Sequence, residues 1–278
     1  MNIYNKWNGL KIGIAVCLLL TTALAHATFK AREQRWAAQI QETLFTGEAV
    51  WLVAQQKPKD VKFFALYTPA HGKTTQGGIL VLHDNGQHPD WPDVTSLLRR
   101  ELPEHGWATL SMQMPILPYV APITAFGPIF DETPPRIRAG IEFLRSKGIR
   151  RIIIAGHGTG ASMAAAFLAQ QPNSGISGLV GVAFDAPVIN NTIDKLDPRL
   201  YSPTMLARIK VPVLDIYGGL DTKTVTGSTE LRSQAAKKAG NKNFEQVRIP
   251  DADHQFGRYE KDLVKHIVDW LAQQFGAR

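Results

Sequence analysis

The chain has 278 residues, of which 44% are hydrophobic and 20% charged, and its 31 Lys and Arg against 24 Asp and Glu give a formal net charge of +7. That apolar fraction excludes a disordered chain. The single cysteine, Cys17, excludes an internal disulfide and a cysteine-based zinc site. No run of Lys and Arg exceeds two residues, so no nucleic-acid partner is expected.

Lys6 and Lys11 precede an apolar run, Ile12 to Leu20, and then Ala25-His-Ala27. A basic start, a short apolar stretch and a small-residue cleavage site predict a signal peptide over residues 1–27. The run is shorter than the roughly 20 residues a spanning helix needs, which favours cleavage over a retained anchor. The expectation is an exported, periplasmic protein that touches the membrane only through this peptide before cleavage. Cleavage removes Cys17 and lowers the charge from +7 to +5.

Next comes an N-terminal helical segment, 28–47, in which Trp36, Ile40 and Leu44 recur every four residues. Glu48–Ala54 and Val61–Tyr67 predict two strands, and Gly78–His83 a continuous apolar strand buried on both faces. Helices and strands then alternate. Asp93–Glu104 is a helix, Ala108–Met112 a strand, Pro135–Lys147 a helix and Arg151–Ala155 a strand. Thr159–Gln171 is a helix, Gly178–Phe184 a strand, Tyr201–Ile209 a short helix and Val211–Tyr217 a strand. Gly227–Ala239 is a helix, Phe244–Ile249 a strand and Arg258–Phe275 a final helix. This alternation predicts one α/β domain, 48–278, with a mostly parallel central sheet and helices on both faces. Met114–Pro134, with five prolines, is expected to be a long loop.

The segment Ile152-Ile-Ile-Ala-Gly156-His157-Gly158-Thr159-Gly160-Ala161-Ser162 is a strand, a glycine-rich turn and a small-residue helix. The same arrangement carries G-x-S-x-G in hydrolases, where the nucleophile sits on a strained turn. Asp221 follows the strand Val213-Leu-Asp-Ile-Tyr217, and His254 follows the strand ending at Ile249. Nucleophile, acid and base then occur in the chain order of that superfamily. His83-Asp84-Asn85-Gly86 ends a buried strand where one oxyanion-hole N–H is expected, with the other from Thr159. Residues 48–278 therefore resemble the α/β-hydrolase superfamily. His88-Pro-Asp-Trp91, Gly106–Pro115 and Gly156–Ala161 further resemble an uncharacterised exported branch from Gram-negative bacteria. The resemblance implies the α/β-hydrolase fold, with Asp221 and His254 as a catalytic or remnant pair and Thr159, Asp84 and Asn85 at the oxyanion hole.

One departure dominates. Gly158 stands where the serine belongs. A glycine has no attacking atom, and losing a triad nucleophile removes a factor of about a million in turnover. Thr159 lends its N–H to the oxyanion hole and Ser162 lies inside the following helix, so neither replaces it. His83 and His157 are expected beside the cavity, with His157 filling space left by the missing serine. The leading expectation is an inactive or non-classical hydrolase relative that binds a small ligand or an envelope partner. The alternative is an enzyme of hydrolase or lyase type, using the Asp221–His254 pair as general base on water admitted by Gly158.

Gly156-x-Gly158-x-x-Ala161 also fits a dinucleotide fingerprint, with Asp185 as ribose ligand. Several strands precede it, and Asp185 lies beyond the roughly 20 residues expected. No cofactor is expected. No metal is expected either, because His83, Asp84, His88, Asp90, His105 and His157 contain no His-x-x-x-His pair.

Overall fold

In a computed structural model of the chain, residues 30–276 are described except 73, 119–120 and 188–195. Residues 1–27, read from the sequence as a signal peptide, lie outside the described residues. One sheet contains β1 Glu48–Ala54, β2 Val61–Thr68, β3 Gly77–Leu82, β4 Trp107–Met112, β5 Ile152–His157, β6 Gly178–Val182, β7 Val213–Gly218 and β8 Phe244–Ile249. The spatial order is β1-β2-β4-β3-β5-β6-β7-β8. The β1–β2 and β2–β4 pairs are antiparallel. All other pairs are parallel.

Strand alternation divides the core into two layers. Ile152 and Ile154 point into one with Leu80 and Leu82. Ile153 and Ala155 point into the other with Ile79 and Val81. The first layer is covered by α3 Gly127–Ser146, α4 Thr159–Gln170 and the short α5 Ser202–Leu206, through Ile137, Leu144, Phe167 and Met205. The second is covered by α2 Val94–Glu101 and α8 Glu260–Phe275, through Leu98, Ile267 and Leu271. Each such side chain, fully buried, contributes about 1.5–3 kcal/mol. Helix α1, residues 30–43, lies near the antiparallel edge and packs Ala37 and Ile40 on Phe64 and Leu66.

The fold class is as expected, and three elements differ in detail. The region read as the long loop Met114–Pro134 is shorter, because α3 already begins at Gly127 and carries Pro134 and Pro135 inside it. A helix-interior proline costs about 3 kcal/mol or more. Here the buried face of Ile129, Phe130, Thr133, Ile137, Ile141 and Leu144 outweighs it. The helix read as Asp93–Glu104 ends at Glu101 and tightens into a 3-10 turn, Leu102–His105, at Pro103. The helix read as Gly227–Ala239 is α7 Thr229–Lys238, and a short helix that was not expected, α6 Lys223–Thr226, precedes it.

Parallel packing places the C-terminal ends of β3, β5, β7 and β8 on one edge, where open α/β sheets hold their sites. Asp84, Gly158, Asp221 and His254 each follow one of these strands.

Candidate active site

Gly158 adopts φ 53° and ψ −118° between β5 and α4. This left-handed region is the strained turn of an elbow, so the backbone is intact although the side chain is gone. The neighbouring glycines permit close approach. A Cβ at Gly156 would meet Ala161 N and Gly160 C at 2.5 Å, and one at Gly160 would strike the carbonyl groups of Leu82 and His83. That second contact presses the end of β3 against the start of α4.

The contact brings Asp84 over the elbow. Asp84 Oδ1 accepts from Thr159 N–H at 2.7 Å and from Asn85 N–H at 2.7 Å. These are the two amides expected to form the oxyanion hole, and a carboxylate oxygen occupies both. The other oxygen, Oδ2, lies 3.3 Å from His254 Nε2. A Cβ built on Gly158 would collide with this same carboxyl group. Two expectations are corrected here. Asp84 does not serve the hole as an amide donor, because its own N–H donates to Gln87 Oε1 at 3.3 Å. Gly158 does not leave room for water or substrate, because the Asp84 carboxylate fills the space above it.

His254 Nδ1 donates to Asp221 Oδ1 at 2.8 Å. Thr222 N–H donates to the same oxygen at 2.6 Å, and the Asp221 side chain is completely buried. Asp221 and His254 are therefore hydrogen-bonded to each other, and His254 lies between two carboxylates. Burial works to lower its pKa, but hydrogen bonds to Asp221 and Asp84 and their charges outweigh burial and raise it to about 10. At neutral pH His254 is an imidazolium. For Asp84, burial pushes the pKa up, yet the His254 bond, His157 and the Thr159 N–H hold it well below the usual carboxylate range. Close charge pairs of this kind are worth roughly 4 kcal/mol at an effective dielectric of 20. The array is thus carboxylate, imidazolium, carboxylate, open to solvent at Asp84 and His254, which are 22% and 25% exposed.

The other expected residues fall into place around it. His157 does not fill the serine space. Its ring lies 4.7 Å from that of His254, and its Nε2–H donates to the His254 carbonyl at 2.9 Å. His83 is buried. Its Nδ1–H donates to the Asp84 carbonyl, and its Nε2 accepts from Met114 N–H at 2.9 Å. Burial lowers the pKa of both histidines to about 4, so both are neutral. Ser162 is 1% exposed within α4. His88 packs between Trp36 and Trp91, while Asp90 pairs with buried Arg99. The dinucleotide reading loses its anchor, because the Thr159 amide at the start of α4 already holds the Asp84 carboxylate.

Sequence reasoning placed Asp84 at the site and missed its part in it. Two coincident departures were the available signal: a side chain missing at Gly158 and a charge present on the facing loop.

The chain belongs to DUF3530, a protein family of unknown function whose model matches residues 21–127 and 130–273. No curated protein matches it. Among solved structures, Est1E from Butyrivibrio proteoclasticus is 14% identical with a TM-score of 0.61, over 82% of this chain and 99% of that one. An esterase from Pyrococcus furiosus is 17% identical with a TM-score of 0.63, over 85% and 94% of the two chains. A dienelactone hydrolase from Anabaena variabilis is 17% identical with a TM-score of 0.61, over 83% and 100%. These likenesses establish the α/β-hydrolase fold.

Proposed function

We propose that this DUF3530 protein is a hydrolase whose reactive group is the Asp84 carboxylate, working with His254 and Asp221 in place of an elbow serine. The observation that supports it is the seating of Asp84: one oxygen on two amide N–H groups, the other beside His254 Nε2. A carboxylate can act as a nucleophile and form a covalent ester.

The seating also selects the electrophile. An ester substrate needs the two amides for the oxyanion of its own carbonyl, and here they are taken. A saturated carbon bearing a leaving group has no such need. Asp84 Oδ2 attacks that carbon, a carbon–oxygen bond forms, and the leaving group departs with its bonding pair. The product ester has its carbonyl oxygen, Oδ1, already in the amide pair. Esterification also removes the Asp84 charge, so His254 loses one of its two carboxylate partners. Its pKa falls, and its proton passes to solvent. Neutral Nε2, oriented by Asp221, then takes a proton from water as the hydroxide adds to the Asp84 carbonyl carbon. The two amides stabilise the resulting oxyanion. Collapse expels the alkoxide, which takes the proton back from His254 and leaves as an alcohol, and the proton of the regenerated Asp84 carboxyl group passes to His254 Nε2, restoring the carboxylate and the imidazolium.

The test is intact-mass analysis of a His254→Ala variant incubated with a panel of primary alkyl bromides and a terminal epoxide. The expected result is an adduct on Asp84 that accumulates in the variant and turns over in the parent. Labelling of Ser162 or Thr159 by a fluorophosphonate would overturn the proposal in favour of a serine-type enzyme. No adduct with any electrophile would overturn it in favour of a ligand-binding relative without catalysis.

Export is proposed on the pattern of residues 1–27. N-terminal sequencing of protein from a periplasmic extract should begin at Thr28, and a start at Met1 would sink it. The substrate is then a small molecule met in the cell envelope.

A further inference from the structure

We infer that Asp84, His157 and His254 form a binding site for a divalent transition ion of the zinc class. One ligand atom from each residue lies within 4.8 Å of the other two. The Asp84 Oδ2 to His254 Nε2 separation is 3.3 Å. Two ligands each about 2.0–2.1 Å from a tetrahedral ion stand about 3.3 Å apart. That pair is already spaced for zinc, and His157 offers a ring nitrogen within 4.8 Å of both.

The hydrogen bonds fix the tautomers. A carbonyl oxygen only accepts, so the 2.9 Å bond to the His254 carbonyl places the His157 proton on Nε2. Nδ1 keeps its lone pair. It has no hydrogen-bond partner among the described residues, although His157 is only 2% exposed. An unpartnered buried group is costly, and an ion would recover that cost. His254 is oriented in the complementary way, with Nδ1–H on Asp221 and Nε2 turned to Asp84. Metal-ligating histidines characteristically hold their second nitrogen on a carboxylate or a backbone carbonyl, and each of these two does one of them. Two imidazoles and one carboxylate suit zinc and its transition-metal neighbours rather than magnesium or calcium. Three protein ligands leave the fourth position to water.

The ion takes the place of the proton shared by Asp84 and His254 and engages the oxygen assigned above to attack. Loaded protein is therefore unreactive toward alkyl electrophiles. That consequence rests on the function proposed above, whereas the binding itself does not.

The experiment is titration calorimetry of the untagged full chain, stripped with chelator, against zinc chloride and against magnesium chloride. One equivalent of zinc should bind with a dissociation constant in the micromolar range or below, and magnesium should give no heat. His157→Gln and Asp84→Asn should each weaken zinc at least tenfold. Asp221→Asn should weaken it about 10–100-fold through the orientation of His254. His71→Gln, at the exposed His71–Glu104 pair, should change nothing. If His157→Gln does not fold, loss of the visible cobalt absorption in Asp84→Asn provides the same reading. Absence of zinc binding in the parent, or binding unchanged in Asp84→Asn, would overturn the inference. Alkyl adduct formation is measured in chelator and zinc binding without electrophile, so each proposal can fail while the other survives.

Discussion

Two clusters in this molecule place a cation among polar partners, and they are built for opposite ends. Arg232 and Asp215 pair at 2.7 Å with both side chains completely buried. Around them Ser228, the carbonyls of Phe184 and Val225, and Gln246 take up the remaining donors and acceptors. At Asp84, His254 and Asp221 the cation titrates, solvent reaches two of the three groups, and Asp221 Oδ2 and His157 Nδ1 have no hydrogen-bond partner among the described residues. A guanidinium with every bond satisfied fixes a shape. An imidazolium between two carboxylates, with spare lone pairs beside it, stores a state that chemistry can change.

That contrast can be broken from either side. Asp84→Asn should abolish the proposed turnover, by roughly the millionfold seen when a nucleophile is lost, and should lower the melting temperature through loss of the ion pair with His254. Initial rates and a thermal melt measured together check this. Asp215→Leu should act on stability and spare the turnover. It strands a buried guanidinium, at a cost of about 3–5 kcal/mol in stability, readable by denaturant unfolding. Gly158→Ser should destabilise by about 1–3 kcal/mol, because the new side chain meets Asp84 at a positive φ. It should not create an esterase, and a gain of p-nitrophenyl acetate hydrolysis would contradict the seating of Asp84.

A further effect is the pH profile of stability. The folded pKa of His254 is raised, so its contribution is complete below pH 6.5 and is lost as pH climbs through about 10. The pKa values of His83 and His157 are lowered to about 4 by burial. Their contribution is complete above 6.5 and is lost as pH falls toward 4. Melting temperature should therefore decline on both sides of neutrality. His254→Gln should flatten only the alkaline limb, and flattening of the acid limb instead would reverse the assignment.

Much of this was legible in the sequence, because it is local. The ladder of β3, β5 and β7 is written in apolar runs, and the elbow in Gly156, Gly158 and Gly160. Asp221 and His254 were legible by their place after strands. What was not legible depends on closure. Asp84 meets Thr159 across 75 residues and His254 across 170. No spacing encodes a side chain swinging into a gap that another residue leaves. The start of α3 was hidden for a related reason: Pro128 and Pro134 speak for a loop, and only packing against the sheet overrules them.

The N-terminal helix, set apart by the sequence as an appendage, is tied to the chemistry. Glu33 of α1 holds buried Arg136, whose guanidinium also donates to the Gln113 carbonyl at 2.7 Å. Gln113 Nε2 lies 3.0 Å from His83 Nε2, and the other face of that imidazole grips the Asp84 carbonyl. A guy-line of four residues thus runs from the first helix to the backbone of Asp84. Trimming the N-terminus back to the first strand would slacken the anchorage of an atom far along the chain.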